Sequence, residues 1–177
     1  VLDDAGAALT RLLEGAGTLV VLGSGAASLV AQALAQTAGW SIPGEAGIER
    51  KSRPRLRFHD NLDPRTLTRA IQHLDLDYAR FLLLSPADDH TAAAQSTAVV
   101  AALRSRGVSP ETRVLFAGAL SPTAAVAMSG AAISVLADAS GTDRGWPLPI
   151  GALLPAIAIG IDADAVLAGG RAMVAAC

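Results

Sequence analysis

Residues 18–38, with the sequence TLVVLGSGAASLVAQALAQTA, decide the fold of this protein. They begin with a short apolar run, Thr18–Leu22, whose length and β-branched residues are typical of a buried strand. A Gly-Ser-Gly turn follows, and beyond it apolar residues recur at helical spacing. The segment therefore predicts a strand, a tight turn and a helix in direct succession.

The turn has the composition of an anion-binding loop. Gly23 and Gly25 let the backbone come close to a ligand, and Ser24 and Ser28 add hydroxyl groups. The first turn of a helix leaves N–H groups unpaired, and the positive end of the helix dipole favours phosphate there. Small residues also suit a strand–helix junction that binds nothing, so the turn alone leaves both interpretations open.

The composition indicates one globular domain with an aliphatic core. The chain has 177 residues, of which 51% are hydrophobic and 17% charged, and its net charge of −2 argues against nucleic-acid binding. Cys177 is the single cysteine, so we expect no disulfide framework and no cysteine metal site, and a cytoplasmic protein is the default. The sequence contains no metal-binding cluster, and we expect no cofactor. The longest uncharged run, residues 145–161, is short for a membrane span and contains prolines, so we expect no membrane partner.

Strand and helix patterns alternate along the whole chain. The further strands are predicted at residues 56–59, 79–84, 113–117 and 133–137. The further helices are predicted at residues 2–13, 64–74, 91–106, 122–128, 150–159 and 163–176. This alternation predicts an α/β fold, a three-layer sandwich with a five-stranded parallel sheet.

Ligands of such sheets bind beyond the carboxyl ends of the strands. The turns after the first, second, third and fifth strands therefore form the candidate site, at residues 23–28, 60–63, 85–91 and 139–149. His90 is the histidine whose position in these turns would allow a ligand contact. A basic cluster at residues 50–57 is interpreted instead as a solvated face or an edge strand.

Five segments resemble, in their order and spacing, the first sugar-isomerase (SIS) domain of the glucose-6-phosphate isomerase family. They are VVLGSGAASL, FHDNLD, FLLLSPADDHTAAAQST, RGWPLPIGALLPAIAIGID and VLAGGRAM. The resemblance implies a flavodoxin-like SIS domain spanning residues 1–177, which would form the N-terminal part of a longer two-domain protein. It also implies a homodimer or a second SIS domain in the same chain as partner.

The same resemblance implies a sugar-phosphate ligand and the aldose–ketose isomerisation of glycolysis and gluconeogenesis. The residues that it places on the sugar phosphate are Gly23, Ser24, Gly25, Ser28, Asn61, Ser85, His90 and Thr91. It gives Arg144 an electrostatic role in the reaction, although Arg144 lies one residue before the position of the family's arginine.

The sequence departs from the family where the phosphate is held. Ser85 remains and Thr91 can substitute for a lost hydroxyl, but the positions between include Pro86, Asp88 and Asp89, and carboxylates repel a phosphate. The base and the lysine of the family lie in its second domain. We therefore expect this chain alone to bind sugar phosphates weakly without isomerising them. The alternative is a non-catalytic module for sugar-phosphate binding or dimerisation.

A dinucleotide-binding domain is the third interpretation, because GSGAAS is similar to the G-x-G-x-x-G/A motif. That motif requires an acidic residue about 20 positions later, at the end of the second strand. Pro43 occupies that position, and Glu45 and Glu49 lie in a predicted loop. The sequence therefore disfavours this class.

Overall fold

The computed structural model describes residues 2–40, 53–85, 90–118, 122–128, 133–136 and 150–176. The strands are β1 (Thr18–Leu22), β2 (Arg55–His59), β3 (Ala79–Ser85), β4 (Val114–Gly118) and β5 (Ser134–Leu136). The helices are α1 (Leu2–Leu13), α2 (Gly25–Thr37), α3 (Pro64–Gln72), α4 (His90–Ser105), α5 (Pro122–Ala127), α6 (Ile150–Ala158) and α7 (Ala163–Ala176). None of the described helices is long and apolar enough to cross a membrane.

The strands form one parallel sheet in the order β2-β1-β3-β4-β5. Thr18, the first residue of β1, is level with Arg55 of β2 and Ala79 of β3. In this order β2 lies on one side of β1, and β3 lies on the other side. The direction in which successive strands are added to the sheet therefore reverses between β1 and β3. A crevice opens there in sheets of this kind, at the carboxyl ends of the strands.

Helices cover both faces of the sheet, as the alternation of strands and helices predicts. Leu19 and Val21 point to the face that packs against α1, α2 and α6. Val20 and Leu22 point to the opposite face, which packs against α3 and α4. Each of these four side chains is at most 1% exposed. The structure confirms the α/β fold, the three layers and the five parallel strands.

Aspartate side chains cap the N-termini of two helices, α3 and α7. The Asp63 carboxylate accepts hydrogen bonds from the N–H groups of Arg65 at 3.2 Å and Thr66 at 3.0 Å, where α3 begins. The Thr66 hydroxyl and these two N–H groups hold the pKa of Asp63 below its ordinary value. Asp162 caps α7 in the same way, through the N–H groups of Asp164 and Ala165. Aspartate is favoured at both positions, because its carboxylate accepts from N–H groups that the first turn of a helix leaves unpaired.

The described part of the basic cluster lies on an edge strand. Arg55 and Arg57 are exposed on β2, at one edge of the sheet, as predicted. Arg53 differs, because its guanidinium donates to the carbonyl of Ile159 at the end of α6. This contact neutralises part of the negative end of the α6 dipole, which a solvated side chain would leave to water.

Candidate functional site

The turn after β1 presses directly against the neighbouring strand. Gly23 has a backbone φ of 155°, and its N–H donates to the carbonyl of His59 at 3.3 Å. A Cβ at Gly23 would lie 2.6 Å from the carbonyl oxygen of Leu84 and 2.8 Å from the Leu84 Cβ. A residue without a side chain is therefore required here, and it holds together the ends of β1, β2 and β3.

The outer side of the same turn is open as far as the described residues show. Gly25, the first residue of α2, has a φ of 72°, and no atom of a described residue lies within 4 Å of the position where its Cβ would be. Ser24 occupies the N-cap position, yet its side chain forms no capping hydrogen bond, whereas Asp63 caps α3 fully. The N-terminus of α2 therefore offers room and backbone donors to an anion.

Ser28 lies inside the protein beneath this turn. It is 2% exposed, and its hydroxyl oxygen accepts a hydrogen bond from Nε2 of Gln32 at 3.2 Å. The same Nε2 lies 3.5 Å from Oδ2 of Asp60, in the loop after β2. Ser28 and Gln32 thus connect α2 to the β2 exit. The sequence pointed to Ser28 as a ligand contact and did not single out Gln32.

A second buried amide fixes the loop after β2. Gln95 of α4 is fully buried, and its Nε2 donates to the carbonyls of His59 at 3.3 Å and Asn61 at 3.2 Å. Oε1 of Gln95 has no hydrogen-bond partner among the described residues. The exposed Asn61 accepts the N–H of Asp63 at its own Oδ1, at 3.2 Å. Gln95 therefore holds the loop through hydrogen bonds from the protein interior, while Asn61 holds it through a hydrogen bond on the exposed side.

The third exit belongs to β3. Ser85 is the last residue of β3, is 6% exposed and lies level with Gly118 of β4. Gly118 has a φ of 137°, and a Cβ there would overlap the Ser85 carbonyl. His90 is exposed at the first position of α4, and Thr91 beside it is partly buried.

The structure thus assembles most of the predicted residues at one edge of the sheet. Those near the exits of β1, β2 and β3 are Gly23, Ser24, Gly25, Ser28, Asn61, Ser85, His90 and Thr91. Arg144, the rest of the turn at residues 139–149 and the residues 86–89 lie outside the described residues. No group of three or more His, Cys, Asp or Glu side chains in the described part of the chain is placed to hold a metal ion.

His59, the last residue of β2, is a partly buried histidine at the edge of the site. Burial lowers its pKa below the ordinary value of 6.5, the charge of Arg57 lowers it further, and Asp60 opposes both effects. Its Nε2 is buried, with no partner among the residues that the structure describes. A histidine in this setting is kept in its neutral form near neutral pH.

We expect acid to destabilise the fold through His59. An unfolded histidine takes up a proton near pH 6.5, whereas folded His59 does so only at lower pH. The unfolded state therefore binds more protons once the pH falls below about 6.5, and the free energy of unfolding decreases. Urea unfolding at pH 7.5 and 5.5 should show a larger loss for the wild type than for His59→Gln. Equal losses would mean that His59 contributes nothing to the acid sensitivity.

Comparison with known proteins supports the fold. The structure is similar to a hypothetical protein from Thermus thermophilus, with a TM-score of 0.70 and 17% sequence identity over 96% of this chain. It is also similar to a glucose-6-phosphate isomerase from Chlamydia trachomatis, with a TM-score of 0.52 and 18% identity over 76% of this chain. At these identities the likeness establishes a shared fold and no more.

The matched regions are 39% of the Thermus chain and 26% of the Chlamydia chain, so this sequence corresponds to less than half of either protein. No protein-family model matches the sequence. No curated protein matches it either.

Proposed function

We propose that this protein is a sugar-phosphate-binding SIS domain of a glucose-6-phosphate-isomerase-like protein, with its ligand at the exits of β1, β2 and β3. The observation that carries the proposal is the N-terminus of α2, where no described residue lies within 4 Å of a Cβ at Gly25, at the point where the strand order reverses. The fold similarity to a glucose-6-phosphate isomerase and the order of the five sequence segments support it.

Two helix N-termini, those of α2 and α4, bind different parts of the ligand. The first turn of α2, with the Ser24 hydroxyl, supplies donors and a positive dipole end for the phosphate. His90 and Thr91 begin α4 at the adjacent exit and extend the polar surface towards the sugar. Gln32 and Gln95 do not need to touch the ligand, because their role is to hold the loop after β2 in place.

Isomerisation requires more than an anchor. The reaction needs a base beside the sugar carbon and a group that stabilises the enediolate. In the family that this chain resembles, the base comes from a second domain, so we assign to this chain the anchor and not the base. The alternative, a non-catalytic binding or dimerisation module, is favoured by Asp88 and Asp89, which replace hydroxyl residues in the phosphate loop.

The anchor is tested by a charge placed at the α2 N-terminus. Asn and Asp both tolerate the left-handed backbone of Gly25, so Gly25→Asn and Gly25→Asp differ in charge and hardly in shape. We expect Gly25→Asp to bind fructose 6-phosphate at least about tenfold more weakly than Gly25→Asn, since a carboxylate repels the phosphate there. Isothermal titration calorimetry measures both affinities. Equal affinities would place the phosphate elsewhere.

The catalytic part of the proposal has its own test. In a coupled assay we expect no interconversion of glucose 6-phosphate and fructose 6-phosphate by residues 1–177, although the same sample binds either sugar phosphate. Turnover would contradict the assignment, because it would require a base within this chain. A folded sample that binds neither ligand but forms dimers would favour the dimerisation module.

A further inference from the structure

A cavity of about 570 Å³ lies at the opposite edge of the sheet, beneath the amino ends of β3, β4 and β5. The second half of α1 forms its other wall. Its volume is within the usual range for small-molecule sites. The charged residues that line it are Arg11, Glu14, Arg80, Glu111 and Arg113.

Arg80 is held rigidly in the wall of this cavity. It is 6% exposed, and its Nε donates to the carbonyl of Leu12 at 2.8 Å. Nη2 donates to the carbonyl of Glu14 at 2.6 Å, and Nη1 to that of Asp77 at 3.1 Å. Backbone carbonyl oxygens thus accept the hydrogen bonds of this buried guanidinium. Their dipoles stabilise its positive charge but do not neutralise it.

A second guanidinium joins the first. Nη1 of Arg113 donates to the same Asp77 carbonyl at 2.6 Å, so both cations converge on one oxygen atom. Nε of Arg113 is buried and has no partner within the described part of the chain. Neither arginine forms an ion pair with a described carboxylate. Burial lowers the pKa of Arg80, and the nearby charge of Arg113 lowers it further.

We propose that this cavity binds a small dianion through a phosphate group, free or carried by a small metabolite. A pair of neighbouring guanidinium groups without a carboxylate partner among the described residues favours an oxyanion that accepts from both. Arg113 spends one Nη1 hydrogen bond on Asp77, which leaves further N–H groups of its guanidinium to donate. Arg11 adds a third positive charge at the rim. Glu14 and Glu111, exposed at the same rim, disfavour extended polyanions such as nucleic acid.

This site is independent of the sugar-phosphate site, because it lies at the amino edge of the sheet and shares no residue with the carboxyl edge. A ligand there contacts the end of α1 and the starts of β3 and β4 together. We therefore expect occupancy to stabilise the fold without competing with fructose 6-phosphate. Either site can fail its test while the other passes.

The test is a titration of the whole chain with inorganic phosphate at constant ionic strength, followed by amide chemical shifts. We expect saturable shifts at Glu14, Arg80 and Arg113. Arg113→Gln should weaken the binding that these shifts report at least about tenfold, since it removes a charge-assisted contact. Glu111→Gln should strengthen binding, because it removes a rim carboxylate while keeping an acceptor for the Ser109 hydroxyl. Arg171→Gln, exposed on α7, is the matched control and should bind as the wild type does.

The variants and a second ligand separate the possible outcomes. Shifts confined to residues 23–28, or unchanged binding by Arg113→Gln in a folded sample, would overturn the proposal. Amino-edge shifts that persist in Gly25→Asp would support it, since they exclude spill-over from the carboxyl edge. A parallel titration with glycerol 3-phosphate identifies the source: tighter binding than that of inorganic phosphate points to a metabolite, and equal binding points to free phosphate.

Discussion

Gly23→Ala is expected to lower the free energy of unfolding by at least about 3 kcal/mol, whereas Gly25→Ala, two residues later, lowers it by about 1–2 kcal/mol. Both glycines have a positive φ, so both substitutions strain the backbone. The difference comes from space. At Gly23 a methyl group would meet Leu84 at less than 3 Å, and at Gly25 no atom of the part of the chain that the structure describes lies within 4 Å.

Urea unfolding of both variants and the wild type, read by far-UV circular dichroism, measures this difference. Gly107→Ala is the control, because Gly107 has a φ of 71° and an equally open surrounding but lies far along the chain, after α4. It should behave as Gly25→Ala does. A Gly23→Ala variant no less stable than Gly25→Ala would show that β1 and β3 are not as close at the turn as the structure has them.

Replacement of Arg80 by leucine should lower the free energy of unfolding by about 3–5 kcal/mol. The substitution removes a buried cation and leaves several backbone carbonyls without a hydrogen-bond donor. The carbonyls of Leu12 and Glu14 lose the donors that join the end of α1 to β3. Arg80→Lys should recover little, since one ammonium group cannot reproduce a planar fork that reaches oxygens on both elements.

Equilibrium unfolding at pH 6 and pH 9 tests this expectation. The loss should be the same at both values, because the guanidinium stays protonated throughout, even with a pKa lowered by burial. Arg171→Leu, on the exposed side of α7, is the control and should change stability little. A loss below about 1 kcal/mol for Arg80→Leu would mean that water satisfies these carbonyls in the folded state.

The helices and strands were largely predictable, because each depends mainly on residues close together in the sequence. The bounds of β1 and α7 agree with prediction to the residue, and α3 starts at Pro64 behind its Asp63 cap. The fifth strand begins at Ser134, one residue later than predicted, and the predicted end at residue 137 lies outside the described residues. Among the described strands β5 pairs with β4 alone, and sequence periodicity does not report where the pairing of such a strand begins.

The interior of the site was less predictable, because its contacts join residues far apart in the sequence. Gln95 lies in a helical pattern that looks like any polar position, yet it is fully buried and binds the loop after β2. The Ser28 hydroxyl was predicted to contact the ligand, and in the structure it accepts a hydrogen bond from Gln32. Arg80 is a cation within an apolar strand, and nothing in the neighbouring sequence indicates that its hydrogen-bond acceptors come from α1. An amide or a cation within an otherwise apolar element is the sequence feature that indicates a contact of this kind.

The position of β1 between β2 and β3 also bears on how the protein is made. The strand leaves the ribosome before either of its neighbours, and its register is complete only when Ala79 has been added opposite Thr18. At ordinary elongation rates this interval is about 3–12 s. Until the residues of β2 are added, Leu19–Leu22, four uncharged and strand-forming residues, have no partner strand, and until β3 is added they have a partner on one side only. Nascent chains of this protein therefore carry an apolar strand segment exposed before its neighbours are made, and co-translational chaperones have a target there.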